Sequence, residues 1–312
     1  LPFEAIPHQF IRHTVGLDDP IREREIKPEN CITDGLPQSL EAAIEAYGLR
    51  YFKVKLAGDV KLDIARLGAI WDVLSRTVDG TFQVSLDANE RFATPLDMRD
   101  YFSTLLQDMH VQALFDHVIY LEQPLHRDFA FQNLSMALPS GLESLPIVMD
   151  ESDSELTSLS RALDAGYAGT SHKNCKGIVK GIANACLLAR LRKNDPGRTY
   201  LLTGEDLASV GPIALLQDMA VSCTLGIKHA ERNGHHYFTG LSMYPPEVWA
   251  DVLAHHSTLY ARHEDGFPTL RIQEGRVYTE SVMSAPFGYK PAFNLEPYTP
   301  LEAWNSASLL TP

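Results

Sequence analysis

Short apolar runs alternate with longer amphipathic ones along most of this chain. That alternation restricts its fold more than any other feature. YFKVKLAG (51–58), TFQVSLDAN (81–89), VIYLEQP (118–124), PIVMDES (146–152), YAGTSHKN (167–174) and TYLLTGED (199–206) read as strands. Between them, helical spacing is found at 39–48, 59–77, 95–109, 158–166, 177–191 and 212–226, and again at 245–263. With IRHTVGL (11–17) added at the front, the pattern amounts to about eight β/α units, and IKHAERNGHHYF near the eighth strand is ambiguous. Repeated βα units imply a parallel sheet with right-handed crossovers. Eight of them close most simply into an α/β barrel, a TIM-type (β/α)8 or (β/α)7β barrel. An open doubly wound sheet is the fallback, but no G-x-G-x-x-G follows the first strand.

The 312 residues suffice for such a barrel, which needs about 250. The expected organisation is a short lead over 1–10, a barrel over 11–266, and a Pro-, Tyr- and Gly-rich extension over 267–312 with one hairpin. The connection 18–38 fits neither strand nor helix. Net charge is −13, which argues against nucleic-acid and anionic-membrane partners but leaves room for a local cationic site. Four irregularly spaced cysteines, with no C-x-x-C, argue against a disulfide framework or zinc site. No run approaches the ~20 apolar residues of a membrane span, and the first residues lack a signal-peptide pattern, so a cytoplasmic location is expected.

The charged residues at strand ends carry the chemistry. LDAN, LEQP and MDES each place a carboxylate (Asp87, Glu122, Asp150) just after apolar strand residues, about one βα unit apart. In a parallel barrel these ends converge on one mouth, where active sites sit. Three oxygen ligands completed by water suit Mg²⁺, with Mn²⁺ as the substitute, and suit zinc less. Lys53 and Lys55 share one face of a strand, and Lys173 ends another. Taken singly, an acid after a strand is usually a helix cap or loop residue, two lysines on a strand are more often a solvated face, and Lys173 could snorkel at a strand end. Their coincidence on successive strands is harder to explain that way.

The set K-x-K in FKVKLAGD, Asp87 in LDAN, Glu122 in YLEQP, Asp150 in MDES and Lys173 in SHKNCKG resembles the enolase superfamily, in particular its muconate-lactonizing-enzyme-like and mandelate-racemase-like branch. The resemblance implies a Mg²⁺-dependent enzyme, an isomerase or lyase. It would remove the α-proton of a small-molecule carboxylate and pass through an enediolate (racemase or epimerase, cycloisomerase or syn-elimination lyase). It implies Asp87, Glu122 and Asp150 as metal ligands, with Lys55 and Lys173 as the acid/base pair. Lys53 would hold the substrate carboxylate and depress the Lys55 acid by like-charge repulsion. Asn89, Glu151, Glu205, Asp206 and His229 are candidate supporting or substrate residues, with Glu231, His235 and His236 nearby. Asn89 would orient a ligand or shape a turn, Glu151 would pair or cap, and Cys175 would pack as a small hydrophobe. Relatives carry an α+β cap domain before the barrel, most of which this sequence lacks, and have Gly-Gly where this chain has Gly177–Ile178. A non-catalytic metal-binding scaffold is the competing reading. A metal hydrolase barrel would need an H-x-H on the first strand, which is missing. A homo-oligomer is compatible with all of these.

Overall fold

The computed structural model of the chain describes residues 5–205, 209–232, 239–290, 294, 296 and 298–306. Eight parallel strands form a closed barrel: β1 (His8–Val15), β2 (Tyr51–Lys55), β3 (Gln83–Asp87), β4 (Val118–Glu122), β5 (Ile147–Met149), β6 (Gly169–His172), β7 (Leu201–Gly204) and β8 (His229–Glu231). They pair in chain order, and β1 pairs with β8 to close the ring. The ambiguous segment contributes the short eighth strand at His229–Glu231, and its residues 233–238 lie outside the described ones. β1 begins at His8, within the segment expected to precede the barrel.

The helices cover the outside, and the first four start at a side chain that caps their orphan N–H groups. Ser39 caps α1 (Leu40–Tyr47) through Ala42 N, and Gly48 at φ 62° ends it, a conformation open to glycine. Asp59 caps α2 (Val60–Thr77) through the amides of Lys61 and Leu62. The run 95–109 is not one helix. α3 (Pro95–Leu105) stops, and Asp108 caps a separate α4 (Met109–Phe115) through His110 N and Val111 N. α5 (Ser158–Ala165), α6 (Ile178–Asn194) and α7 (Ile213–Thr224) follow. Apolar faces of the helices and the outward residues of the strands (Phe52, Val54, Val84, Leu86, Leu121) make the main core.

The helical spacing at 245–263 continues only over Pro246–His255. β9 (Tyr260–Arg262) then turns back against β10 (Pro268–Leu270) as an antiparallel pair. β11 (Arg276–Tyr278) adds antiparallel to the first residues of β1, at the N-terminal end of the barrel. The connection after β1 contains two 3-10 turns, Glu23–Glu25 and Pro28–Asn30. No helix among the described residues is long and apolar enough to cross a membrane.

Candidate active site at the barrel mouth

Strand register assembles the site. Lys55 of β2, Asp87 of β3 and Glu122 of β4 are successive register partners, so three charged groups stand in one row across adjacent strands. One layer deeper, Thr14, Lys53 and Ser85 form the next row. Asp150 follows β5 and Lys173 follows β6, on the next arc of the ring. β2 and β6 are four strands apart in a ring of eight, so Lys55 and Lys173 face one another across the mouth.

The two lysines of β2 have different surroundings. The Lys53 side chain is only 2% exposed, and its ammonium donates to Glu122 Oε1 (2.9 Å), Glu205 Oε2 (2.9 Å) and Glu231 Oε2 (3.2 Å), with Asp87 Oδ2 at 3.0 Å. Burial alone would lower its acid, but these four carboxylates raise it well above the ordinary lysine value. A cation so enclosed is not a bare like charge beside Lys55, and this departs from the role the K-x-K resemblance implied. Lys55 is 24% exposed and donates to Asp87 Oδ2 at 2.6 Å. It is the lysine of the pair that a ligand can reach.

Deeper in the barrel, Arg12 of β1 donates to Glu205 Oε1 (2.5 Å) and to the Gly204 carbonyl (2.8 Å). Thr14 donates to Glu231 Oε1 at 2.6 Å. His229 lies at the N-terminal end of β8, opposite Phe10, away from the mouth. Its Nδ1 faces Arg12 at 2.8 Å and its ring stacks on Tyr51. Burial, with Arg12 and Lys228 nearby, pushes its acid down to about 3, so it accepts from Arg12 as a neutral imidazole. It supports Arg12, and through it Glu205, and stands away from the mouth.

Asp150 forms a second cluster. Its Oδ2 accepts from Lys173 (2.7 Å), and its Oδ1 accepts from Lys176 (2.7 Å) and from the Ser171 hydroxyl. Lys176 also donates to the Asp150 carbonyl and to Ser171 Oγ, both at 2.7 Å. Burial alone would raise the Asp150 acid, but Lys176 and Lys173 override it and hold it well below the usual carboxylate range. In turn Asp150 holds the proton of Lys173, whose acid lies above the ordinary lysine value although burial opposes this.

The loops after β3, β4 and β5 are stitched together. Gln123 is fully buried at φ 34°, and its side chain accepts from Asp150 N and Ser152 N while donating to the Leu125 carbonyl and Ser152 Oγ. The Asn89 amide donates to Asp87 Oδ1, and its side chain to Glu151 Oε1, both at 2.9 Å. Asn89 therefore orients an acid of the site through its backbone. Glu151 is held by an amide, where an ion pair or a helix cap was expected. Glu90 and Arg127 add a two-pronged ion pair between the β3 and β4 loops. Cys175 is exposed, not packed. Asp206, His235 and His236 lie outside the described residues.

Lys176, Arg12, Thr14 and Gln123 carry weight that the sequence reading missed. The signals were faint. Lys173 and Lys176 are three apart across a 3-10 turn, where side chains at i and i+3 eclipse. Arg12 and Thr14 share strand parity on β1, so one inward residue implies the other.

Among the described residues, no group of three or more His, Cys, Asp or Glu stands ready to hold a metal ion. Ammonium groups are in the way: Lys53 bridges Asp87 and Glu122, Lys55 sits on Asp87, and Lys173 and Lys176 sit on Asp150. The chemistry of the donors nevertheless fits a hard cation, since all are oxygen. Glu122 Oε2 is buried and without a hydrogen-bond partner. Burial, then Asp87 and Glu205, and also Asp150, push the Glu122 acid well above its usual range, against the opposing pull of Lys53. A nearby dication would relieve each of these strains.

The chain is thus a closed parallel barrel with acids and lysines gathered at its C-terminal mouth. A sequence model of the enolase C-terminal domain-like family matches residues 36–194, just over half of the 312, and the chain belongs to that family. No curated protein matches it. Solved structures share the fold at low identity. A dipeptide epimerase from Enterococcus faecalis is 18% identical, with TM-score 0.51, over 72% of this chain and 56% of that one. An isomerase from Streptomyces coelicolor is 15% identical, with TM-score 0.54, over 88% and 62%. The L-Ala-D/L-Glu epimerase from Bacillus subtilis is 16% identical, with TM-score 0.50, over 86% and 62%. The match thus spans less than two thirds of the length of each.

Proposed function

We propose that this chain is the catalytic barrel of a Mg²⁺-dependent isomerase or lyase that removes the α-proton of a small-molecule carboxylate. The observation that carries the reading is geometric. Two partly exposed lysines, Lys55 and Lys173, stand on opposite sides of a mouth that holds Asp87, Glu122 and Asp150. One lysine on each face of a substrate carbon can remove a proton from one side and return it to the other, or leave it off. Family membership and the epimerase and isomerase folds are consistent with this chemistry.

Contacts divide the site into two clusters of opposite sign. Arg12, Lys53 and Lys55 meet Asp87, Glu122, Glu205 and Glu231, one negative charge in excess. Lys173 and Lys176 meet Asp150 alone, one positive charge in excess. Together they cancel. Asp87, Glu122 and Asp150 would hold the divalent cation, which supplies positive charge to them and to the substrate carboxylate and stabilises the charge built up on proton loss. With those acids engaged, Lys55 and Lys173 would face the substrate carbon from opposite sides of the mouth, one to take its proton and the other to return one.

The alternative is a non-catalytic barrel, favoured by the ammonium groups already seated on Asp87 and Asp150. Thermal unfolding near pH 7.5 with and without Mg²⁺, on the parent and on Glu122→Gln, separates the two. Mg²⁺ at ~100 times its Kd should stabilise the parent by about 2.7 kcal/mol and the variant not at all. Equal responses, or none in the parent, would remove the metal site. Solvent deuterium entering the α-carbon of a carboxylate substrate would then establish turnover.

A further inference from the structure

We infer that Glu205 and Glu231 form a fixed seat for the Lys53 ammonium, keeping it in the barrel while Asp87 and Glu122 are given over to a divalent cation. The inference rests on the metal reading above.

Lys53 shares its four acids between two jobs. Asp87 and Glu122 stand in the upper row, where the metal ligands are proposed, whereas Glu205 and Glu231 come from the seventh and eighth strands on the other side of the lysine. If all four were equivalent, a metal and Lys53 would compete for Asp87 and Glu122, and the buried ammonium would be left short of partners. Burying a charge without compensation costs several kcal/mol. The lower pair is braced from β1, whereas Asp87 takes the Asn89 amide on Oδ1 and shares Oδ2 between Lys53 and Lys55. Each acid of the lower pair uses one oxygen on Lys53 and the other on β1: Glu205 Oε1 accepts from Arg12, itself buried, and Glu231 Oε1 accepts from Thr14. Glu122 uses one oxygen on Lys53 and leaves its second unpartnered. The supported acids are built to stay, and the unsupported one has an oxygen to offer. Glu205 and Glu231 are therefore positioning residues for Lys53, and Arg12 and Thr14 aim them.

Neutralising either glutamate would also change the charge near the metal, so a substitution that keeps every charge is needed. Thr14→Val removes only the hydroxyl that aims Glu231. Released from its second anchor, Glu231 holds Lys53 less firmly, and Lys53 competes harder for Asp87 and Glu122. Isothermal titration of the full chain with MgCl₂ near pH 7.5 should show Mg²⁺ affinity falling about two- to tenfold in Thr14→Val, the range of one hydrogen bond. Thr203→Val is the control. It deletes a buried barrel hydroxyl without a hydrogen-bond partner, and affinity should stay at the parent value. A merely structural role for Thr14 would lower the denaturation midpoint without metal and leave Mg²⁺ affinity alone. Parent affinity in Thr14→Val overturns the seat. A parent that takes up no Mg²⁺ overturns the metal reading and the seat with it. Affinity lost equally in both variants also overturns the seat.

Discussion

Replacing Lys176 with methionine tests the Asp150 cluster without any ligand. The lysine makes three hydrogen bonds of 2.7 Å, to a carboxylate oxygen, the Asp150 carbonyl and the Ser171 hydroxyl. The ammonium donor makes all three charge-assisted, each contributing about 2 kcal/mol before solvent access and the remaining partners of Asp150 are discounted. Asp150 keeps Lys173 and Ser171, and the Lys176 side chain is 14% exposed, so water recovers part of the loss. The expected destabilisation at pH 7 is about 2–3 kcal/mol, read as a shift in urea midpoint with little change in slope. The pH dependence gives a second check. The folded Asp150 acid lies below its unfolded value of about 4, so its stabilisation is complete above that value and fades as pH falls. Lys176→Met makes the depression shallower, and the gap between parent and variant should narrow from pH 7 to pH 3. A loss below about 0.5 kcal/mol at pH 7, or a gap that widens toward acid, would refute the reasoning.

Two other changes give separate readings. Lys55→Ala should abolish deuterium exchange into a substrate while Mg²⁺ affinity is kept or improved, because Asp87 loses the competing ammonium; loss of metal binding would sink the assignment of Lys55. Gly169→Ala would drive a methyl into the Leu201 carbonyl, its register partner on β7, and should cost about 3 kcal/mol or prevent folding, measured by near-UV circular dichroism and denaturant midpoint.

The sequence carried most of the mouth. Asp87, Glu122 and Asp150 were legible because each follows an apolar strand run, and a barrel sends all such ends to one place. The interior was harder. β8 is only His229–Glu231, too short and polar to show a period, so Glu231 read as part of a loop. Arg12 was passed over, because an arginine is almost never fully buried unless paired and its partner Glu205 lies nearly two hundred positions away. Lys176 was hidden because a 3-10 turn brings it back to Asp150, and a helical or extended reading sends it to solvent. The spacing at 245–263 misled because β9 continues the apolar rhythm after His256, where the backbone has already left the helix.

The buried amide of Gln123 has a mechanical consequence. It joins the β4 end to the β5 end, as Asn89 joins the β3 loop to the β5 loop and Glu90 joins the β3 loop to Arg127. The three strand ends that bear Asp87, Glu122 and Asp150 form a single stiff collar. Their spacing is set when the chain folds, so an arriving ligand need not spend its own affinity on gathering them. A fault at Gln123 would alter the alignment of all three acids together, although that residue itself contacts no ligand.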